Sequence, residues 1–558
     1  MNIGDRRDIE KRFNSMRNEF QSWVPGLRDI RDYMAPGRGF FDDSTANFGV
    51  KYDHKKNLNN SPMRALRTLA SGMMSGLTSP SRPWFKLGVQ DAELMELDEV
   101  KEWLEDVQTL MYTIFSRSNI YNVLHTLFGE LGGFGTGSAI IEEDFDTVIH
   151  GTTFTAGEYY FGLDHKGRVN SFGRSFKQTV GQLVKEYGID NVSPTVKNLY
   201  STGQIDGWVK VRHLIEPNDR KWEGVDQRIY KPYRSIAWED GSATDTCLRY
   251  KGYEEFPVLG PRWDVTSTSY IYGRSPGWDA IGDVKQLMKM EYDKLMALDK
   301  MIDPPTVSDG LSDDEPSTLP GGRNKVSAGV PNSGLRPAYQ IDPRLQEIEA
   351  MIERVKNSID QTFYADLFLM LTQIDRGQMT AREIAERHEE KLLALGPVLE
   401  RLQGELLGPL IDRTFQIMLR TGILPTPPDE LQGTDLKVDY ISLLAQAQKM
   451  VGTTAIQAAV AFAGNMAAVY PEVVDVIDPD EAVIQYSDMM GVSPKIIRSK
   501  DELAAYRAER AKQRQQAQMA AAIPEIVKGA KTLSDTKLGQ GSALDAMVGT
   551  DQPQAVTQ

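Results

Sequence analysis

The sequence predicts an α+β chain that is mainly helical, and three observations carry that reading. Apolar residues recur every three or four positions over residues 9–34, 61–77, 103–131, 278–301, 345–363 and 384–417, a spacing that lines them along one face of a helix. Between residues 139 and 275 the period drops to two in several places, as in Glu158-Tyr159-Tyr160-Phe161 and Trp208-Val209-Lys210-Val211, the alternation of strands. Composition is that of an ordinary globular protein, 41% hydrophobic and 25% charged over 558 residues, enough chain for more than one structural unit.

Taken in order, Ile9 to Met34 reads as one helix with Phe13, Phe20, Leu27 and Ile30 on a common side and a bend at Pro25; Ala35-Pro36-Gly37 stops it. Ser61-Pro62 opens a second helix through Leu66, Leu69 and Met73 into the small-residue run Ser71-Gly72-Met73-Met74-Ser75-Gly76-Leu77, which permits close helix packing. Arg82 to Leu87 reads as a short strand, and Trp103–Phe115 and Ile120–Leu131 as helices. Gly132-Gly133-Phe134-Gly135-Thr136-Gly137-Ser138 lacks the lysine of a phosphate-binding loop and precedes the strand Ala139-Ile140-Ile141, so it reads as a helix-to-strand turn. Asp164-His165-Lys166-Gly167 supplies a hairpin turn, and Gln178–Tyr187 a helix among strands. The acidic run Glu142, Glu143, Asp144, Asp146 has no histidine at ligand spacing and reads as a solvated strand end.

From Trp278 to Met301 an amphipathic helix carries Ile281, Val284, Met288, Tyr292, Leu295 and Leu298, and ends at Asp303-Pro304-Pro305. Residues 306–341 lose the period among prolines and glycines, as a protruding irregular lobe with short strands such as Lys325-Val326 and Ala338-Tyr339 would. Asp342-Pro343 restarts helix, with Leu345, Ile348, Ile352, Val355, Ile359 and Phe363 on its apolar side. The period lapses around Thr372 to Gln378 and resumes at the capping box Thr380-Ala381-Arg382-Glu383. The last helix carries Ile384, Leu392, Leu395, Leu399, Leu402, Leu406, Leu410 and Ile417 up to Gly422; Gly396-Pro397 and Gly408-Pro409 predict kinks. Beyond it come a rigid Ile423–Pro428 connector, a strand at Leu436–Ile441, helices at 443–463 and from Asp478-Pro479, and a charged helix to about Ala522 in which Glu502 and Glu509 interleave with Lys512 and Arg514. Residues 523–558, rich in Gly, Gln, Ser and Thr, read as a mobile tail.

The order helix, lobe, helix, short loop, long kinked helix resembles the portal proteins of viruses, specifically the head-to-tail connectors of short-tailed bacteriophages. The run Ala70 to Leu87 ("ASGMMSGLTSPSRPWFKL") is its most specific match; Met379–Glu383 and the segments Ile477–Glu481, Gly491–Pro494 and Ile497–Lys500 add to it, and the likeness covers most of residues 1–520. The resemblance implies a portal-type subunit with wing, stem, clip and crown regions that forms a ring. It would divide the chain into a wing at 1–275, a first stem helix at 276–301, a clip at 302–343, a second stem helix at 344–371, a tunnel loop at 372–379, a long wing helix at 380–422, a C-terminal wing or crown at 423–522 and the tail. It implies that Gln373, Ile374, Asp375, Arg376, Gly377 and Gln378 face DNA, and that Arg323, Asn324, Lys325 and Tyr339 of the clip meet docking partners. The implied partners are further copies of the chain, as a dodecamer; double-stranded DNA in the channel; the terminase large subunit; the tail adaptor; and the major capsid and scaffolding proteins. The setting is the virion, after assembly in the host cytoplasm.

A net charge of −15 argues against a broad basic face for tight nucleic-acid binding and fits a conduit that lets DNA slide. Cys247 is the only cysteine, so the fold owes nothing to disulfides and suits a reducing compartment. No run reaches the ~20 apolar residues of a membrane span, and Asp5-Arg6-Arg7 leads straight into amphipathic helix without a leader. The six histidines are scattered, and His388-Glu389-Glu390 lacks the second histidine of a zinc helix. No catalytic residues, metal or cofactor are therefore expected. The rival readings are a metal-dependent DNA-processing enzyme, such as a nuclease or integrase built on acidic residues, and a non-viral helical scaffold.

Overall fold

A computed structural model describes residues 3–41, 57–91, 94–218, 230–242, 247–302, 306–307, 336–337, 344–374, 395–431, 436–442, 444, 460–466, 470, 472, 476, 478–480, 482–483 and 502–514. Two compact units divide the chain, Met1–Gly491 and Val492–Gln558; in the second, residues 502–514 are helical.

In the first unit the expected N-terminal helix is two helices, α1 (Ile3–Gln21) and α2 (Val24–Tyr33). Pro25 sits in the first turn of α2, where its missing donor costs nothing, so the expected bend is a break at Ser22-Trp23. Ile9, Phe13, Phe20, Leu27 and Ile30 are buried as their spacing predicts. The helix α3 (Ser61–Leu77) contains the small-residue run, with Met73 and Leu77 buried. Next come β1 (Phe85–Val89), α4 (Asp98–Arg117) and α5 (Ile120–Phe134).

The strands β2 (Ser138–Asp144), β3 (Val148–Phe154), β4 (Tyr159–Leu163) and β5 (Val169–Thr179) follow. Then come α6 (Val180–Tyr187), α7 (Pro194–Ser201), β6 (Trp208–Pro217), β7 (Tyr233–Glu239), β8 (Arg249–Tyr253) and β9 (Val258–Leu259). Strands β4 to β8 form an antiparallel five-stranded sheet in sequence order, and β3-β2-β9 a second sheet of three. The β4–β5 turn is the expected one: Asp164 accepts from the backbone N–H groups of Lys166 and Arg168, both at 2.8 Å. The helix α6 opens on a full capping box between Thr179 and Gln182.

The main core runs from α1 through the sheets and helices; Phe13, Phe20, Tyr160, Tyr272 and Trp238 meet largely edge to face. A separate small core under α6 and α7 holds Val180, Leu183, Tyr187, Val196 and Val211.

The long helices come last. These are α8 (Pro276–Ile302), α9 (Leu345–Thr362) and α10 (Ala365–Ile374), then helix over 395–402, a π-helical segment Gln403–Leu407 and α11 (Gly408–Thr421). The second stem helix, expected as one piece over 344–371, is interrupted at Phe363-Tyr364. Short strands β10 (Thr306–Val307) and β11 (Arg336–Pro337) pair antiparallel, and β12 (Leu436–Tyr440) pairs antiparallel with β1. The latter joins two strands read separately from the sequence. Among the described residues no helix is long and apolar enough to cross a membrane.

Candidate functional site: a helical hairpin rooted in a glycine-lined socket

The glycine-rich run does structural work at the root of α8. Gly135, at φ +85°, caps α5 in the left-handed region, and its carbonyl accepts from Trp263 N–H at 2.9 Å. The Ser275 hydroxyl donates to the Gly133 carbonyl at 2.7 Å and Gly273 N–H to the Thr136 hydroxyl at 2.9 Å. A Cβ on Gly277 would overlap the Gly133 carbonyl, so the first turn of α8 is seated directly on backbone. Trp278 donates to the Phe134 carbonyl at 3.2 Å and stands edge-on to Trp23.

From this socket α8 runs out and α9 returns antiparallel beside it. The Ser358 hydroxyl donates to Asp283 at 2.7 Å near the root, and Lys294 pairs with Glu349 at 3.1 Å further out. Val284, Leu287, Met288, Ile352 and Ile359 are buried between the helices and the core. Beyond Met288 the cover ends: Tyr292 is 49% exposed, Leu295 48% and Met351 52%. Met296, Met301 and Ile302 are exposed as well. Burying each such side chain is worth about 1.5–3 kcal/mol, so the outer half of the hairpin carries apolar surface that the described residues leave uncovered. At its far end the β10–β11 pair ties together the two ends of the expected lobe. Arg323, Asn324, Lys325 and Tyr339 lie outside the described residues.

The hairpin is mildly acidic. Over α8 and α9 there are nine carboxylates (Asp279, Asp283, Glu291, Asp293, Asp299, Glu347, Glu349, Glu353, Asp360) against six cations (Lys285, Lys289, Lys294, Lys300, Arg354, Lys356). Four of the cations are paired: Lys285 with Asp29 at 2.6 Å, Lys289 with Asp293 at 2.7 Å, Lys294 with Glu349, and Lys356 with Glu353 at 2.8 Å. The hydrogen bond from Lys289 to Asp293 raises the lysine pKa, and desolvation raises that of Asp360. The hairpin thus carries a small acidic excess, with its positive charge mostly engaged.

At the inner end, Tyr364 adopts φ +54°, a left-handed conformation that a tyrosine holds only when its surroundings fix it. Phe363 and Phe368 are buried, and Phe368 lies so close to Gly72 of α3 that a Cβ there would clash. Helix α10 continues through Thr372, Gln373 and Ile374, so these three residues, expected in a loop, form its last turn; Asp375, Arg376, Gly377 and Gln378 lie outside the described residues.

In the long helix, Leu395, Leu399, Leu402, Leu406, Leu410 and Ile417 are all buried, as their spacing predicts. The kink expected at Gly408-Pro409 takes the form of a π-turn. Pro409 has no N–H for the Glu405 carbonyl, and Gly408 N–H reaches back five residues to Gln403. Glu405, on that turn, receives Arg262: its backbone N–H at 3.0 Å, Nε at 3.2 Å and a terminal nitrogen. Arg262, 3% exposed, also donates to the Tyr270 and Gly167 carbonyls, so one buried side chain fastens three segments to the helix. Nothing at Arg262 in the sequence announces this; the glycines flanking Glu405 announce only an irregular helix.

The acidic run Glu142–Asp146 is engaged in structure. Glu142 accepts from Tyr253 at 2.9 Å, Glu143 pairs with Arg420 at 3.0 Å, and Asp144 accepts from the N–H and hydroxyl of Thr147, which lowers its pKa. No group of three or more His, Cys, Asp or Glu among the described residues is placed to hold a metal. His213 is buried; Arg174 Nε donates to its Nδ1 at 3.2 Å, and Ser235 lies 2.8 Å from Nε2. Desolvation, then the charges of Arg174 and Arg249, push its pKa well below the usual histidine value, so it is neutral and structural.

Comparison with known proteins gives a consistent result. A family model described as bacteriophage head to tail connecting protein matches residues 6–497. The chain is 43% identical over 542 residues to a probable portal protein of Bordetella phage BPP-1, covering 97% of both chains. It is 40% identical over 544 residues to a portal protein of Salmonella phage epsilon15, covering 97% of this chain and 98% of the relative.

Proposed function

The chain belongs to the bacteriophage head-to-tail connecting protein family, and from that premise we propose how this phage portal works: copies form a ring, a dodecamer, whose channel passes double-stranded DNA. The observation that carries the reading is the outer half of the α8–α9 hairpin. Tyr292 and Leu295 continue the apolar spacing of the buried root and Met351 stands beside Ile352, yet all three stay half exposed in the single chain, as a face covered by neighbouring copies would. Side by side, such hairpins form a barrel, with α8 and α9 as stem helices and residues 302–343 as the clip.

The paired cations of the hairpin fit a wall that DNA slides along, since each unpaired phosphate contact would add salt-dependent grip. In this reading the segment after Ile374 is the tunnel loop, with Arg376 as its one cation beside Asp375. The clip docks the terminase large subunit and later the tail adaptor, and the wing meets capsid and scaffolding proteins. The protein acts without catalysis of its own, in the virion and, during assembly, in the host cytoplasm.

Electron microscopy of the purified protein tests the ring. Rings with a central hole are expected; a monomer at all concentrations contradicts the reading. Arg376→Glu should impair DNA retention without lowering assembly or thermal stability. Replacing residues 308–335 by a short linker should leave rings but abolish packaging.

A further inference from the structure

The β2–β3 turn carries a side chain that the chain itself leaves entirely in solvent. Phe145 is more exposed than in an extended peptide, at the tip of a run with four carboxylates, Glu142, Glu143, Asp144 and Asp146. The tip is held firmly. Asp144 accepts two hydrogen bonds from Thr147, and Val148 adopts φ +71°, a conformation that costs a β-branched residue of order 1–3 kcal/mol. It leans on β8, one edge of the five-stranded sheet, through the Tyr253 to Glu142 bond.

On the opposite side of that sheet, β4 pairs with β5 from Val169 to Arg174, and past that point an open groove of about 770 Å³ lies over Phe176 to Gln178. Phe176 and the half-exposed Trp208 line it with aromatic surface, and Lys177 and Lys185 stand among its lining residues. Its two acids are turned onto neighbours: Glu158 accepts from Thr155 N–H at 3.0 Å and Glu186 from Gln178 at 2.7 Å. One edge thus presents an exposed phenylalanine with Asp146 beside it, and the other a groove in which two aromatic rings stand with the Lys177 and Lys185 ammonium groups and the Glu158 and Glu186 carboxylates. A closed ring needs two different surfaces that fit each other.

We infer that Phe145 and Asp146 of one copy seat in the Phe176–Trp208 groove of the next, Asp146 meeting Lys185. The inference rests on the ring reading above and adds a contact in the wing, away from the stem helices. An aromatic anchor set in a pocket with charge at its rim is the usual centre of such an interface, and the opposed charges set its direction around the ring.

The test uses the full-length protein assembled from equal parts of ordinary and nitrogen-15-labelled chains, with a carbodiimide that joins touching carboxylates and amines. A peptide pair linking Asp146 to Lys185 with mixed isotopes is expected. Phe145→Ala should raise the protein concentration at half-assembly about tenfold. Asp146→Lys and Lys185→Glu should each weaken assembly, and the two together should restore it. Rings that form normally in Phe145→Ala and give no mixed link overturn this contact while leaving the ring reading intact. Parent protein that never assembles overturns both.

Discussion

Near its root the α8–α9 hairpin buries Val284, Leu287 and Ile359 against the core; a few turns further out Tyr292, Leu295 and Met351 stand half exposed on the same two helices. The two halves share an amphipathic pattern, so the pattern alone does not say what covers it. Inside, the cover is this chain's own α3, α5 and α10. Outside, the proposed cover is another copy. Substitutions at the root should therefore unfold the subunit, and substitutions further out should leave it folded and alone.

The largest effect is expected on the buried face. Ile352 and Ile359, on the apolar side that spacing gives α9, are both buried within the chain. Ile352→Asp with Ile359→Asp should cost at least about 4 kcal/mol and give unfolded or aggregated protein, not folded monomers. Circular dichroism and thermal melts distinguish these outcomes; folded monomers would erase the contrast between the two halves.

Next comes the anchor of the long helix. Arg262→Ala leaves the partly buried Glu405 with only the more distant Arg401, at 3.8 Å, and should cost about 2–3 kcal/mol, read as a lowered melting temperature. Equal loss in Glu405→Gln would mean that packing and not charge sets the anchor.

His213 gives a smaller, pH-dependent effect. Its folded pKa is depressed, so below about 6.5 the unfolded chain takes up a proton that the folded chain refuses. Stability is then complete above that pH and falls as pH drops, by up to about 1.4 kcal/mol per unit. Melts of the parent and His213→Gln between pH 7.5 and 5.5 should differ in slope; parallel curves would contradict the assignment.

How much of this was legible follows from the range of each signal. The buried leucines of the long helix follow from the sequence at every described position because a 3.6-residue period is local and strong. The glycine-rich turn was legible as a turn, but not as the socket of α8, because its partners Gly273, Ser275 and Gly277 lie far along the chain. Strands at Phe85 and Leu436 were each visible, yet their pairing was not. Tyr364 left no trace: no glycine or proline marks the break, and tertiary contacts around Phe363 and Phe368 hold a conformation that local preference opposes. Spacing carried the order of the parts, and the family resemblance supplied what spacing lacked, the role those parts serve together.

Whether other copies cover the outer hairpin is decided by Leu295→Asp with Met351→Asp, followed by electron microscopy and thermal melting of parent and variant side by side. Rings are expected for the parent, and for the variant folded single subunits with the helical content and melting temperature of the parent's dissociated subunit. Rings that persist unchanged in the variant would contradict such cover.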